Sequence, residues 1–221
     1  MEPNLSLFLL SAAGISLTGV MLPGPMTAAT IAKGCSDKHA GAKIAVGHAV
    51  IEIPLIAAIY LGFGHLINLP YVVEVIRIAG GLMLVYLGFR MFRAGGNMPG
   101  QVSGLPNSSL VTGIVLTGAN PGFYMWWIFV GTNLVVGDGR ASSITINTAA
   151  TFGLLGIVSF VLIHWCCDLA WCEFISVSTF ESRRWWTPKV QKVVFTVCAL
   201  ILVGFGIWFC LSAFVQAQGI F

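Results

Sequence analysis

Two pairs of residues in this chain have the type and spacing to relay protons or hold a cation. His48 and Glu52 stand four apart, and so do His164 and Asp168. Four residues on an α-helix return to the same face, so each imidazole can reach its carboxylate. Imidazole changes charge near neutral pH, which suits a proton relay if water reaches it. Both pairs lie in apolar stretches. A carboxylate at the centre of a bilayer costs about 2.5–3.5 kcal/mol on insertion scales, so its default reading is functional and inward-facing. The bland alternative is an acid that is protonated or hydrogen-bonded and merely ties helices together. For Asp168 a position nearer a helix end, where charge costs less, is also open.

Cys166, Cys167 and Cys172 add metal-ligand types beside the second pair. Adjacent cysteines point about 100° apart on a helix, and no CxxC or HExxH spacing occurs. No resident metal and no cofactor are expected, although a transient path for a metal ion stays open. The remaining cysteines, Cys35, Cys198 and Cys210, read as small buried hydrophobes.

The elements that must position these pairs are membrane spans. The chain is 57% hydrophobic and 9% charged, against about 25% charged for a soluble globular chain. Six apolar segments stand out: Leu5–Ala32, Gly41–Ile67, Tyr71–Phe92, Leu110–Val136, Ala149–Ser176 and Val193–Val215. The fifth is the least defined, because the run from Ile144 to Phe180 exceeds one span. Nine of the eleven Lys and Arg residues fall in the odd-numbered connections: Lys33, Lys38, Lys43, Arg90, Arg93, Arg183, Arg184, Lys189 and Lys192. By the positive-inside rule these connections are cytoplasmic and both termini face outward. Trp126-Trp127 and Trp185-Trp186 read as interface anchors. Gly80, Gly81, Gly88, Gly204 and Gly206 read as sites of close helix packing.

Two spans are interrupted. Pro23, Gly24 and Pro25 break the first, and Asn120-Pro121 breaks the fourth. A proline lacks an N–H and clashes with the carbonyl four residues back, so Gly19, Met21 and Thr117 are expected to carry freed carbonyls. Thr27, Thr30, Thr117 and Asn120 flank the breaks, either to bind a solute or to satisfy the freed backbone. The Gly/Pro/Ser-rich stretch Ala94 to Ser109 reads as a flexible cytoplasmic linker. It divides the chain into residues 1–93 and 110–221, each with three spans. Three spans per half forces opposite orientations, the inverted-repeat plan of many secondary transporters. The expected fold is therefore an all-α integral membrane protein of six spans in a single transmembrane domain.

The order of these features resembles the LysE/RhtB family of amino-acid exporters. The residues that carry the likeness are Pro23-Gly24-Pro25, Gly41 and Gly47, Glu52, the run from Ile78 to Arg90, Asn120-Pro121 and Asp168. Gly122 follows Asn-Pro where many members have Lys. The run Asn120-Pro121-Gly122-Phe123-Tyr124-Met125-Trp126-Trp127 and His164-x3-Asp168-x2-Trp171 look more like a divergent, archaeal branch of the family. Thiol carriers of the wider superfamily need a cysteine beside each break, and this chain has none there.

The resemblance implies a secondary transporter in the cell membrane that exports amino acids or similar small cationic or zwitterionic solutes, driven by inward proton movement. Substrate binding and translocation would fall to Gly19, Met21, Pro23, Gly24, Pro25, Thr27, Glu52, Thr117, Asn120, Pro121 and Asp168. The half-helices after Pro25 and Pro121 would offer N–H groups to a carboxylate. Proton relay would fall to His48, Glu52, His164 and Asp168. The alternatives are a divalent-metal exporter on the same scaffold, using His, Cys and carboxylate side chains, and a non-transporting membrane subunit. No Ser/His/Asp or nucleotide-cradling motif points to an enzyme. The expected partners are a small-molecule substrate and the lipid bilayer, with no nucleic acid and a homodimer left open.

Overall fold

In a computed structural model the described residues are 4–21, 24–63, 69–93, 105–136, 148–185 and 187–217, and they form helices with no strand. Pro23, Arg140, Trp186 and residues 94–104 of the expected linker lie outside them. In chain order the helices are α1 Leu5–Val20, α2 Pro25–Gly34, α3 Ala40–Tyr60, α4 Pro70–Arg93, α5 Ser109–Gly118 and α6 Pro121–Trp126. A π-helical turn, Trp127–Gly131, leads into α7 Thr132–Val135. A short 3-10 turn precedes α8 Gly153–Ser182, and α9 is Pro188–Ala217. Three helical stretches are long and apolar enough to cross a membrane by themselves: Ala40–Tyr60, Ala149–Trp185 and Lys192–Phe214. The pair α1 and α2, set at 77° to each other, would add a fourth. At 24 residues α4 is about 36 Å long.

Both expected breaks separate helices, and the two are finished differently. Pro121 starts α6 at a position where a missing N–H costs nothing, and Asn120 Oδ1 accepts from the Gly122 N–H at 3.0 Å. Pro25 likewise starts α2, but the capping position is Gly24, which has no side chain to offer. Pro54 does not break α3, which runs through it.

Two apolar clusters hold the helices together. One joins α2, α4, α5 and α9 through Ala28, Ala32, Leu84, Leu116, Leu202 and Phe209. The other joins α1, α3, α6, α7 and α8 through Phe8, Ile56, Trp127, Leu134 and Phe160. Glycines set the closest approaches. A Cβ on Gly41 would collide with the Cys172 carbonyl of α8, and one on Gly47 with the Leu110 carbonyl of α5. In return, a Cβ on Gly113 would strike the Ile44 carbonyl of α3. Gly81 and Gly206 abut across α4 and α9, and a Cβ on Gly88 would lie 2.8 Å from the Ala199 carbonyl. Gly204 departs from the packing expectation, because a Cβ there meets nothing within 4 Å.

The odd-numbered connections gather at one end. Lys38 pairs with Glu181 at 2.7 Å, His39 with Glu173, and Arg183 donates to the Cys35 carbonyl at 2.6 Å. Lys33, expected in the first connection, is buried in the last turn of α2. Its ammonium donates to the carbonyls of Pro106 and Asn107 at 2.5 and 3.1 Å. The end of the expected linker is therefore packed rather than loose: Leu105 is buried, and Ser108 caps α5. A charged amine taken out of water must find acceptors, and the Pro106 carbonyl also accepts from the Thr112 hydroxyl of α5 at 3.2 Å.

Candidate functional site

The two histidine–acid pairs meet. His48 and Glu52 project from α3 and His164 and Asp168 from α8, and all four side chains are buried. Glu52 is 2% exposed. Its Oε1 lies 3.0 Å from His48 Nε2 and 3.1 Å from His164 Nε2. The same oxygen accepts from the Trp127 indole N–H at 3.3 Å. Asp168 stands further off, with Oδ1 3.9 Å from His48 Nε2 and Oδ2 3.8 Å from His164 Nε2. Glu52 Oε2 and Asp168 Oδ2 have no hydrogen-bond partner.

Each imidazole is oriented from behind by a hydroxyl on a helix that ends at one of the two breaks. His48 Nδ1 is 2.8 Å from Thr117 Oγ1, near the end of α5. His164 Nδ1 is 2.6 Å from Ser16 Oγ on α1. The Ser16 hydroxyl also lies 2.7 Å from the Ala12 carbonyl, and its single hydrogen can serve either that carbonyl or the ring. Glu52 Oε1 faces the Nε2 of each ring, so each contact needs a hydrogen, on the imidazole or on the carboxyl. The hydrogen between His164 and Glu52 ties α8 to α3 in a buried setting.

Aromatic rings wall this centre. Phe160 and Trp126 stack on His164, and Phe123 meets His48 edge-on at 5.2 Å. Trp127 is placed by the π-helical turn, a feature frequent at functional sites. Thr132 Oγ1 donates to the Trp127 carbonyl across the widened turn at 2.8 Å. Gly131 leaves room for the indole, since a Cβ there would run into the ring.

The placement of the sequence-predicted residues is uneven. His48, Glu52, His164 and Asp168 come together, and the Thr117 side chain joins them. The Thr117 carbonyl, expected to be free, accepts from the Asn120 amide at 3.2 Å. Asn120 serves the backbone of α6 through Oδ1, so the first turn after Pro121 is not left open as expected. The reason is local: an Asn side chain before a helix is the right length to cap it. Gly24 and Pro25 form the start of α2, and Gly19 packs so tightly against Trp126 that a Cβ would lie 2.7 Å from its Nε1. Met21 ends α1, with its amide on the Leu17 carbonyl at 2.9 Å. Thr30 bonds back to the Met26 carbonyl at 2.9 Å.

Trp126 and Trp127 are not interface anchors: Trp127 is fully buried and Trp126 lies against His164. Trp185, by contrast, is exposed. Among the described residues the group of close metal-ligand types is His48, Glu52 and Asp168, with ligand atoms within 4.8 Å of one another. No thiol belongs to it, and Cys166 is exposed. Ser16 and Trp127 contact the candidate site, a placement that the sequence reading missed. A lone serine in an apolar run carries no signal, and a Trp-Trp pair looks the same at an interface and in a core.

No curated protein and no solved structure matches the chain. A family model for LysE type translocators matches residues 17–213, which span nearly the whole chain and every residue of the buried centre except Ser16, so the chain belongs to the LysE type translocator family.

Proposed function

We propose that this protein is a secondary transporter that exports amino acids or similar small cationic or zwitterionic solutes in exchange for inward-moving protons. The observation that carries this reading is the convergence of both histidine–acid pairs on one buried oxygen, Glu52 Oε1, with a proton required at the contact. A carboxylate that two helices hold through a dissociable proton changes its bonding when that proton leaves. Loss of the proton weakens the tie between α3 and α8, and the freed carboxylates attract an ammonium group. Substrate and proton then compete for Glu52 and Asp168, which is what exchange requires. The first turn of α2, which Gly24 leaves without a side-chain cap, is suited to a substrate carboxylate.

Alternating access would come from two inverted halves, 1–93 and 110–221, moving about the centre. Exchange of partners between the halves supports this plan. Ser16 of the first span serves His164 of the fifth, and Thr117 of the fourth serves His48 of the second. The swap of first for fourth and second for fifth is what a twofold relation between the halves produces. Gathering of the basic connections at one end fits a cytoplasmic face there, with both termini outside.

The test is exchange flux in proteoliposomes under an imposed pH gradient, with lysine, arginine, threonine, homoserine and neutral amino acids as solutes. Flux that follows the gradient and falls to the level of empty vesicles in Glu52→Gln is expected. Solute-independent behaviour, or an unchanged Glu52→Gln variant, would overturn the reading in favour of a non-transporting subunit.

A further inference from the structure

We propose that His48, Glu52 and Asp168 form a binding site for a borderline first-row divalent cation of the zinc type, with Thr117 as the residue that aims His48. This goes beyond solute export and does not depend on which solute is carried.

Three features point to a cation. The ligand atoms of the three side chains lie within 4.8 Å of one another. A tetrahedral ion with bonds of about 2.0–2.1 Å holds its ligands about 3.3 Å apart. His48 Nε2 is 3.0 Å from Glu52 Oε1 and 3.9 Å from Asp168 Oδ1, so small rotations would suffice. Second, two carboxylate oxygens, Glu52 Oε2 and Asp168 Oδ2, are buried without a partner. Glu52 and Asp168 are 2% and 5% exposed. A buried oxygen with lone pairs and no donor is costly, and a cation satisfies it. Third, the second shell is already built. The Thr117 hydroxyl sits at His48 Nδ1 at 2.8 Å, leaving Nε2 for the ion, and His164 holds Glu52 through Oε1, leaving Oε2 without a hydrogen-bond partner. Partners of this kind orient metal ligands and raise their affinity.

The donor set selects the ion. One imidazole and two carboxylates suit Zn²⁺, Co²⁺ or Mn²⁺, whereas Ca²⁺ wants six to eight oxygens and Mg²⁺ keeps much of its water. The ion and the shared proton contend for the same lone pairs. Metal binding therefore releases protons and blocks proton-driven flux.

The experiment uses the purified full-length protein in lipid nanodiscs. Zn²⁺ is titrated by calorimetry in two buffers of different ionisation enthalpy, and Co²⁺ by visible absorption. One saturable site with proton release is expected, with tetrahedral Co²⁺ bands and no sulfur charge-transfer band. Asp168→Asn should abolish it. Thr117→Val should weaken Zn²⁺ about tenfold or more. The Cys166→Ser/Cys167→Ser variant should bind as the wild type does. Absence of saturable Zn²⁺ and Co²⁺ binding would overturn the proposal. So would binding that survives in both Asp168→Asn and His48→Gln, or that is lost only with the cysteines. Solute flux without metal binding would leave the transporter reading standing and this one refuted. Metal binding without solute flux would do the reverse.

Discussion

The helices α3 and α8 carry the same chemical spacing and use it differently. On α3, Glu52 is a hub: one oxygen faces two imidazoles and an indole within 3.3 Å. On α8, Asp168 has the same histidine four residues before it, yet no donor within hydrogen-bond reach of Oδ2. One acid is held and the other is poised. The difference teaches that an i, i+4 pair fixes only which face two side chains share. Who pairs with whom depends on how that face is rotated and at what depth it meets its neighbour. His164 turns past its own Asp168 to reach Glu52 on the facing helix.

The sharpest way to break this comparison is to remove the hub. Glu52→Ala leaves two imidazoles and an indole facing an empty space, and breaking a buried pair from one side costs about 3–5 kcal/mol. Thermal unfolding of the purified variant should show the largest drop of any single substitution in the centre. An equal drop for Asp168→Ala would erase the distinction between the two acids.

A smaller effect tests what brings the two helices into range. Gly41→Ala drives a methyl into the Cys172 carbonyl of α8, and overpacking of this kind costs about 1–3 kcal/mol. Gly204→Ala, where a Cβ meets nothing within 4 Å, should leave unfolding unchanged or slightly raise its temperature. A matching loss at both glycines would show that helix propensity, not the α3–α8 contact, sets the cost.

Ser16→Ala and Thr117→Val remove the two hydroxyls behind the imidazoles. Each should cost about 1–3 kcal/mol, the usual cost of an unsatisfied buried donor or acceptor. Closely similar values, read by the same unfolding assay, would sharpen the parallel between the two hydroxyl–imidazole contacts. A silent Ser16→Ala would break it.

The smallest effect on stability is expected at Asp168→Asn. That substitution replaces a buried carboxyl whose Oδ2 accepts no hydrogen bond, so the unfolding temperature should hold or rise while flux falls. A clear loss of stability would show that Asp168 is held as firmly as Glu52.

Much of the organisation was legible in the residues. The two breaks were visible because Pro23-Gly24-Pro25 and Asn120-Pro121 join proline to a residue that readily leaves the helix, whereas the lone Pro54 does not interrupt α3. The basic connections were visible because charge partitions by solvent, and His39, Lys38 and Arg183 do meet at one end. The four-residue spacing of His48–Glu52 and His164–Asp168 was visible because helix geometry is periodic. Lys33 shows where such reading stops. Its charge suggested a solvated loop, but the Pro106 and Asn107 carbonyls let it be buried. Asn120 shows the same for a polar residue at a break, whose side chain turned to its own helix.

The sequence by itself determined a helical membrane protein, two helix breaks and two faces bearing a histidine and an acid, because these follow from hydrophobicity, backbone sterics and helical period. The tertiary structure alone decided that the two faces meet at one oxygen of Glu52. It also decided that Ser16 and Thr117 reach across to orient the rings, and that Trp127 leaves the membrane interface for the core. These outcomes depend on rotation and depth of packed helices, which Gly41, Gly47 and Gly113 set through contacts between residues far apart in the chain. Local pattern carries no record of such distances.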